Sequence, residues 1–421
     1  MTSTTPRVRT GRITFFVALA VFAQESTWNL YDSQVPPLLR EHLGSAALIG
    51  ALMGMDNLLG IFIQPWMGNR SDGTRTSWGR RIPYLVVGMP VAAVLFVVIP
   101  HAAVSLPLLV LVMFGYALVA NSFKPIAESL LPDFIGPERR SRANAAVKIA
   151  SSITVIVAAL ISIFLIDDFP KLSFAIPAAL MLVSVGVLAW RVRDSKSPAY
   201  QAALEEDRSE QDARPRVRMR DVLLDILRDA DRSRLLVILG VFAFGGAWFA
   251  SRSLVTNYGM ETLGMSRGDA GGLTLPSGLA FLAAAYPVAL FAERFGRLRV
   301  ILIGMAVFAA AMVLGTIVRT PTGTVVAMCV AAAGAAAFMV NMAVVLWNLA
   351  PSARVLGTYT GLYTVGWSSG GFLGPALVGG MVDVTGWPFM LLDVGAVTVI
   401  AVLLVARVAS LQRRRSDGRV L

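Results

Sequence analysis

The feature that most constrains this chain is a recurrence. Stretches of about 20 mostly apolar residues, each long enough to cross a hydrocarbon core as a helix, return along its whole length. We read twelve of them, at residues 13–39, 46–69, 82–101, 105–130, 143–166, 172–191, 235–258, 270–292, 299–318, 323–349, 355–382 and 388–407. In lipid a backbone must satisfy its own N–H and C=O groups, and a helix does so within one segment. The expected fold is therefore an all-α polytopic membrane protein with twelve transmembrane helices.

Composition agrees. Hydrophobic residues make up 56% of the chain and charged residues only 15%, against about 25% in soluble domains. Cys329 is the only cysteine, which excludes an internal disulfide and a thiolate metal cluster. With two histidines and no nucleophile–base pair, neither a metal site nor an enzyme is expected, and no cofactor is called for. The basic start, MTSTTPRVRTGR, runs into an apolar segment too long for a signal core and without a small-residue cleavage site.

The formal net charge is +11, and its placement decides its meaning. Thirty of the 37 lysines and arginines fall in the termini and alternate loops on one side; four fall on the other. That is the positive-inside pattern of a multi-pass protein of the plasma or inner membrane with both termini cytoplasmic, not a nucleic-acid footprint. The longest polar stretch, 191–234, balances eleven bases against ten acids. It divides the chain into a first six-span bundle (1–190), a linker (191–234) and a second bundle with a basic tail (235–421). Within the linker, Val222, Leu223, Ile226 and Leu227 share a helical face, as in a helix lying on a membrane or a solvated linker helix. No oligomeric contact is called for, and a functional monomer is expected.

The halves look related. QPWMGNRSDGTRTSWGRRIPY follows the second span and YPVALFAERFGRLRV follows the eighth. Pro65 matches Pro287, and Trp78-Gly79-Arg80 matches Phe295-Gly296-Arg297. Parallel six-helix repeats are a transporter architecture with the substrate site near the midplane between them.

The motif Gly68-Asn69-Arg70-Ser71-Asp72, followed by Gly79-Arg80-Arg81, resembles the signature loop of the major facilitator superfamily. The longer stretch is similar to that of sucrose:proton symporters and their bacterial glycoside-transporting relatives, near the glycoside–pentoside–hexuronide:cation symporters. LPDFIGPERRSRANA, with Pro132, Asp133, Arg140, Arg142 and Ala143-Asn144-Ala145, adds to the likeness. The resemblance implies the major facilitator fold and secondary active symport of a sugar, a disaccharide or glycoside such as sucrose or maltose, by alternating access. It also implies a cytoplasmic gate of Gly68, Asp72, Gly79, Arg80, Arg81, Asp133 and Arg142 that latches the halves in the outward-facing state. From the residues alone, Gly68 permits a close helix approach. Asp72 can pair with Arg80 and Arg81, or the arginines can bind lipid headgroups or simply enforce topology.

Ionisable residues inside spans are costly and mark ion or substrate paths. Glu25, Trp28, Asn29 and Asp32 share one face of span one. Asp56, Gly60 and Gln64, with Asn57, mark span two; Asn144, Lys148, Ser151 and Ser152 mark span five. Asn121, Lys124 and Glu128 form a stripe on span four, where Lys124 either bridges locally to Glu128 at i,i+4 or exchanges between Glu128 and the acids of spans one and two. Arg252 stands in span seven, paired across a cavity or snorkelling outward. A symporter needs a carboxylate that changes protonation, and Asp32, Glu25 and Asp56 are the candidates, with Lys124, Glu128 and Arg252 as charged partners. The coupling ion is read as a proton, with sodium as the alternative; an exporter of drugs or metabolites is the rival within the same superfamily.

For the sugar, amides and aromatic rings are expected. Tyr359, Tyr363 and Trp367 fall on one face of span eleven, and span ten offers Asn341 and Asn348. Trp28, Asn29, Asn57, Gln64 and Asn121 complete the candidate binding set.

Overall fold

The computed structural model describes residues 10–135, 147, 150, 151, 153–201, 204, 232–349 and 356–416. Their regular structure is helical. The main helices are α1 (Thr10–Arg40), α2 (Ala46–Asp72), α3 (Ile82–Ala102), α4 (Leu106–Phe134), α5 (Ile153–Leu165) and α6 (Pro170–Arg191) in the first half. The second half holds α7 (Ser233–Ser253), α8 (Thr274–Phe295), α9 (Arg297–Val318), α10 (Pro321–Asn348), α11 (Leu356–Thr385) and α12 (Met390–Ser416). Two short helices, Val255–Leu263 and Arg267–Gly272, extend α7 and precede α8.

Nine helices among the described residues are long and apolar enough to cross a membrane by composition alone. α1 falls short of that threshold because Glu25, Asn29 and Asp32 interrupt it, and α11 because of its Gly, Ser and Thr content. Pro36 and Pro37, a residue type that usually bends or ends a helix, lie inside α1, which continues to Arg40. The amphipathic linker stretch and Lys148 lie outside the described residues.

The chain divides into two compact units, Met1–Tyr31 with Leu59–Ala213 and Asp32–Leu58 with Arg214–Leu421. In the first, α3 packs against α4 and α6 around an aromatic core. Trp28, Tyr31 and Tyr116 lie with ring centroids 5.1–5.6 Å apart, and Phe96 joins Tyr116 to Phe174. Buried Tyr116 donates its hydroxyl to Thr27 Oγ1 at 2.8 Å, which meets the need for a partner in a dry interior.

The second unit packs by backbone proximity. Lipid tails are as apolar as leucine, so helices associate through tight van der Waals fit at small residues. Gly304 of α9 faces Gly334 of α10, and Gly246 of α7 faces Gly374 of α11. The first turns of α2 belong to this unit, where Gly50 and Gly54 rest on the Pro375 and Phe372 carbonyls of α11. The close approach expected at Gly68 is not found: no described atom lies within 4 Å of where its Cβ would sit. The glycines that admit a neighbouring backbone on α2 are about four to five turns earlier.

Gly79 (φ +106°) and Gly296 (φ +92°) occupy the matched positions of the two halves, and both adopt a backbone that other residues rarely enter. The repeated Gly-Arg is thus a repeated turn, not a coincidence of letters.

Because a Cβ on Gly304 would overlap the Gly334 carbonyl and Ala337, whereas one on Gly186 of α6 meets open space, the two alanine variants should part. Gly304→Ala is expected to lose about 1–3 kcal/mol of stability. Gly186→Ala should be neutral or slightly stabilising, with thermal unfolding in detergent as the comparison.

Candidate transport site and loop network

In the first unit, Lys124 Nζ of α4 lies 3.1 Å from Glu25 Oε1 of α1, with both side chains mostly buried. Of the partners open to Lys124 in the sequence, an acid of span one is the one found, not the local Glu128. Glu128 is exposed, and the cation of α4 is held by an acid 99 positions away in the chain. Asn29, one turn beyond Glu25, donates to the Glu25 carbonyl at 2.9 Å and to Thr154 Oγ1 of α5 at 2.8 Å. Gln64 Nε2 of α2 donates to Asn121 Oδ1 of α4 at 2.7 Å, and Asn121 returns its amide to the Ala117 carbonyl. Gly60 leaves the space for this pair, since its Cβ would lie 2.9 Å from both amides. The unit therefore carries a charge pair and an amide pair, linked through Lys124 and Asn121, one turn apart on α4. Trp28, expected to face a sugar, belongs instead to the aromatic core and is 7% exposed.

The second unit holds the other half of the candidates. Asp32 is the acid whose charge acts on Arg252. The Arg252 guanidinium lies 5.4 Å from the Trp248 ring centroid, a cation–π geometry. It lines a cavity of about 10 Å³ with Ser251 and Ser277, so its charge is directed inward and does not snorkel. Asn57 donates to Asp56 Oδ1 at 3.0 Å and rests against Gly371 of α11. Tyr363 and Trp367 stack at 6.5 Å with 6° between their planes, and Phe249 of α7 packs on Trp367. Buried Asn341 donates to the Ala337 carbonyl at 3.0 Å. Asn348 is not beside it: it is exposed at the end of α10, in a cavity among arginines. The Tyr359 side chain lies outside the described residues.

The signature loop forms a network inside the first unit. Arg80 grips Asp133 through Nε at 3.0 Å and Nη2 at 2.6 Å, a bidentate pair. Arg81 Nε reaches the same carboxylate at 3.0 Å, its Nη2 reaches Asp72 Oδ1 at 2.5 Å, and its Nη1 donates to Ser71. The backbone N–H groups of Arg80 and Arg81 both donate to Asp194 Oδ2. Gly79 is required here because a Cβ would press on Asp194. Burial pushes the Asp194 carboxyl up, against the two backbone donors that favour its charged form. These recorded partners tie α2, α3, α4 and the segment after α6, all within one unit. Asp194 was not anticipated, because nothing local marks a buried acid in a charged linker. Arg142 lies outside the described residues.

A second set of polar ties went unread in the sequence. Within the second unit, the end of α1 and the start of α2 are held by distant segments. Arg40 Nε meets Glu261 Oε1 at 2.8 Å and lies over the Trp387 ring. Arg267 donates to Gln34 Oε1 and to its carbonyl, both at 2.8 Å. Asp383 of α11 accepts from Ala46 N at 2.6 Å, Ala47 N at 3.1 Å and Ser45 Oγ at 2.6 Å, capping α2 from another helix. Partial burial opposes this charge, but the Ser45 hydroxyl, the two amides and Arg40 hold the Asp383 carboxyl below the usual range. The only local signal was Ser45, a good N-cap residue before an apolar run.

The main helices fall in two sets of six, and polar ones among them carry charges, Glu25 with Lys124 on α1 and α4 and Arg252 on α7. The family model of the Major Facilitator Superfamily matches residues 17–279 and 237–419, and the chain belongs to that superfamily. It is a membrane transporter, not an enzyme. Solved structures with this fold include a bacterial homolog of the human lysosomal transporter Spinster, in an inward-facing and occupied conformation. That match has a TM-score of 0.70 and 16% identity, over 96% of this chain and 97% of that one. The nucleoside transporter NupG aligns with a TM-score of 0.74 and 16% identity, over 94% and 99%. Curated relatives match locally. A lactose permease of Leuconostoc lactis is 34% identical over 90 residues, 21% of this chain and 14% of the relative. A membrane-associated transporter protein of Mus musculus is 31% identical over 81 residues, 19% and 15%. The matched segments thus span about a seventh of those relatives' lengths.

Two variants test the ties. Asp133→Ala leaves two buried guanidinium groups short of their shared acid and should cost about 3–5 kcal/mol, read as a fall in the unfolding temperature. Asp383→Ala should cost about 0.3–1 kcal/mol at neutral pH, the worth of an acid at an exposed helix N-terminus. Because the folded pKa of Asp383 is depressed, its contribution is present above the ordinary carboxylate pKa of about 3.9 and lost as pH falls through the folded value. The gap to Asp383→Ala should therefore close on acidification below about pH 4.

Proposed function

We propose that this chain is a secondary active transporter that carries a sugar, a disaccharide or glycoside, together with a proton. The observation that carries the reading is the Glu25–Lys124 pair, an acid and a base on different helices beside the Gln64–Asn121 amides. A proton delivered to Glu25 neutralises the acid and releases Lys124 to a sugar hydroxyl or to another carboxylate. Loss of that proton restores the pair. Asp32 and Arg252 offer the same logic in the second unit. The local likeness to a lactose permease supports a sugar as the substrate. Within the second unit, Tyr363 and Trp367 are read as ring faces for sugar C–H groups. Arg80, Arg81, Asp72 and Asp133 are read as one side of a gate that closes the Arg-rich face. The Arg-rich side is taken as cytoplasmic, in a plasma or inner membrane, with the chain working as a monomer.

Proteoliposomes loaded with a pH-sensitive dye and offered a panel of disaccharides test this. Uptake of at least one sugar should acidify the lumen, require an inward proton gradient and ignore sodium. Sodium-driven uptake without acidification would move the coupling to sodium at Asp56 and its neighbours. No sugar uptake alongside efflux of lipophilic dyes would overturn the reading.

A further inference from the structure

We propose that the Arg-lined cavity at the α8–α9 turn binds a phosphate-bearing group, supplied by the headgroup of an anionic lipid. The cavity measures about 480 Å³, and Gly296, Arg297, Arg299, Asn348, Gln412 and Arg413 are among its lining residues. They come from the turn, the end of α10 and the end of α12. Among the described residues no carboxylate lines it. Arg297 and Arg299 make no ion pair and no side-chain hydrogen bond among the described residues.

The first unit shows what this turn does when its charges are met within the chain. There Gly79 is followed by Arg80 and Arg81, which face Asp72, Asp133 and Asp194. The second copy keeps the glycine, with positive φ, and the arginines after it, but an open cavity stands where the first copy has carboxylates. The Arg297 and Arg299 guanidinium groups line one space, and two like charges there favour an anion between them. A phosphate fits the planar fork of arginine bidentately, and the amides of Asn348 and Gln412 add neutral donors.

The surroundings select the source. Phe295 lines the cavity and is 53% exposed, as is Phe291 one turn before it. An acyl chain has apolar surface to follow from the headgroup into the bilayer, which a free phosphate has no use for. Basic pockets between membrane helices on the Lys/Arg-rich side bind anionic headgroups in this way.

The test is native mass spectrometry of the full chain in mild detergent, titrated with phosphatidylglycerol or phosphatidylcholine, with inorganic phosphate as a third arm. Wild type should retain phosphatidylglycerol over phosphatidylcholine by about tenfold, and Arg297→Gln/Arg299→Gln should lose most of that preference. Lys171→Gln, at an exposed cation in the first turn of α6, should keep it. If the double variant fails to fold, Arg299→Gln alone, at an exposed position, reads the same preference. Displacement of phosphatidylglycerol by inorganic phosphate supports a phosphate contact. Binding of phosphate with no preference among lipids keeps the phosphate chemistry but overturns the lipid as its source. Equal retention of both lipids without phosphate binding, or an undiminished preference in the folded variants, overturns the site.

Discussion

An ion placed in hydrocarbon needs a counter-ion, and the 3.1 Å contact between Glu25 and Lys124 is where α1 and α4 meet that requirement together. Neither charge is tolerable on its helix alone. The pair therefore dictates that α1 turns its polar stripe toward α4, which leaves Asn29 to reach α5 and Trp28 to join the tyrosine core behind it. The same need puts Arg252 under the influence of Asp32 in the second unit. A pair of this kind responds to protonation: one proton on the acid removes the charge that the base answers.

The repeated turn shows one backbone serving two charge balances. Gly79 and Gly296 solve the same conformational problem. In the first copy the chain supplies its own acids, so the turn becomes a rigid corner joining four segments. In the second copy the arginines face a cavity, and the turn is open to an external anion. The difference rests on three carboxylates, not on the fold.

Much of the architecture was legible because hydropathy and length decide where a chain crosses lipid, and because Lys and Arg punctuate alternate loops. The stripe on α1 was legible from its periodicity, as were the acids and arginines of the signature loop. What could not be read was pairing over distance. The spacing of Lys124 and Glu128 suits a local bridge and the acids of spans one and two are its rivals, but nothing local selects Glu25 among them. Asp194 looked like one more acid in a balanced linker. Asp383 caps a helix more than 300 positions away in sequence, and no periodicity reports such a contact. Gly68 stands in the motif, but helix contact depends on which face meets a neighbour, and Gly50 and Gly54 meet it. Asn341 and Asn348, seven residues apart, share a helix face but not a depth: one is buried and the other lies among arginines at the helix end.

The central claim is that protonation of Glu25 couples the sugar to the proton by releasing Lys124. The direct measurement compares Glu25→Gln with wild type in two assays on the same proteoliposomes, sugar exchange at equal concentrations and accumulation under a proton gradient. The account predicts that exchange survives, with its pH dependence flattened, while accumulation is lost. Full accumulation by Glu25→Gln, with an unchanged pH profile, would contradict it.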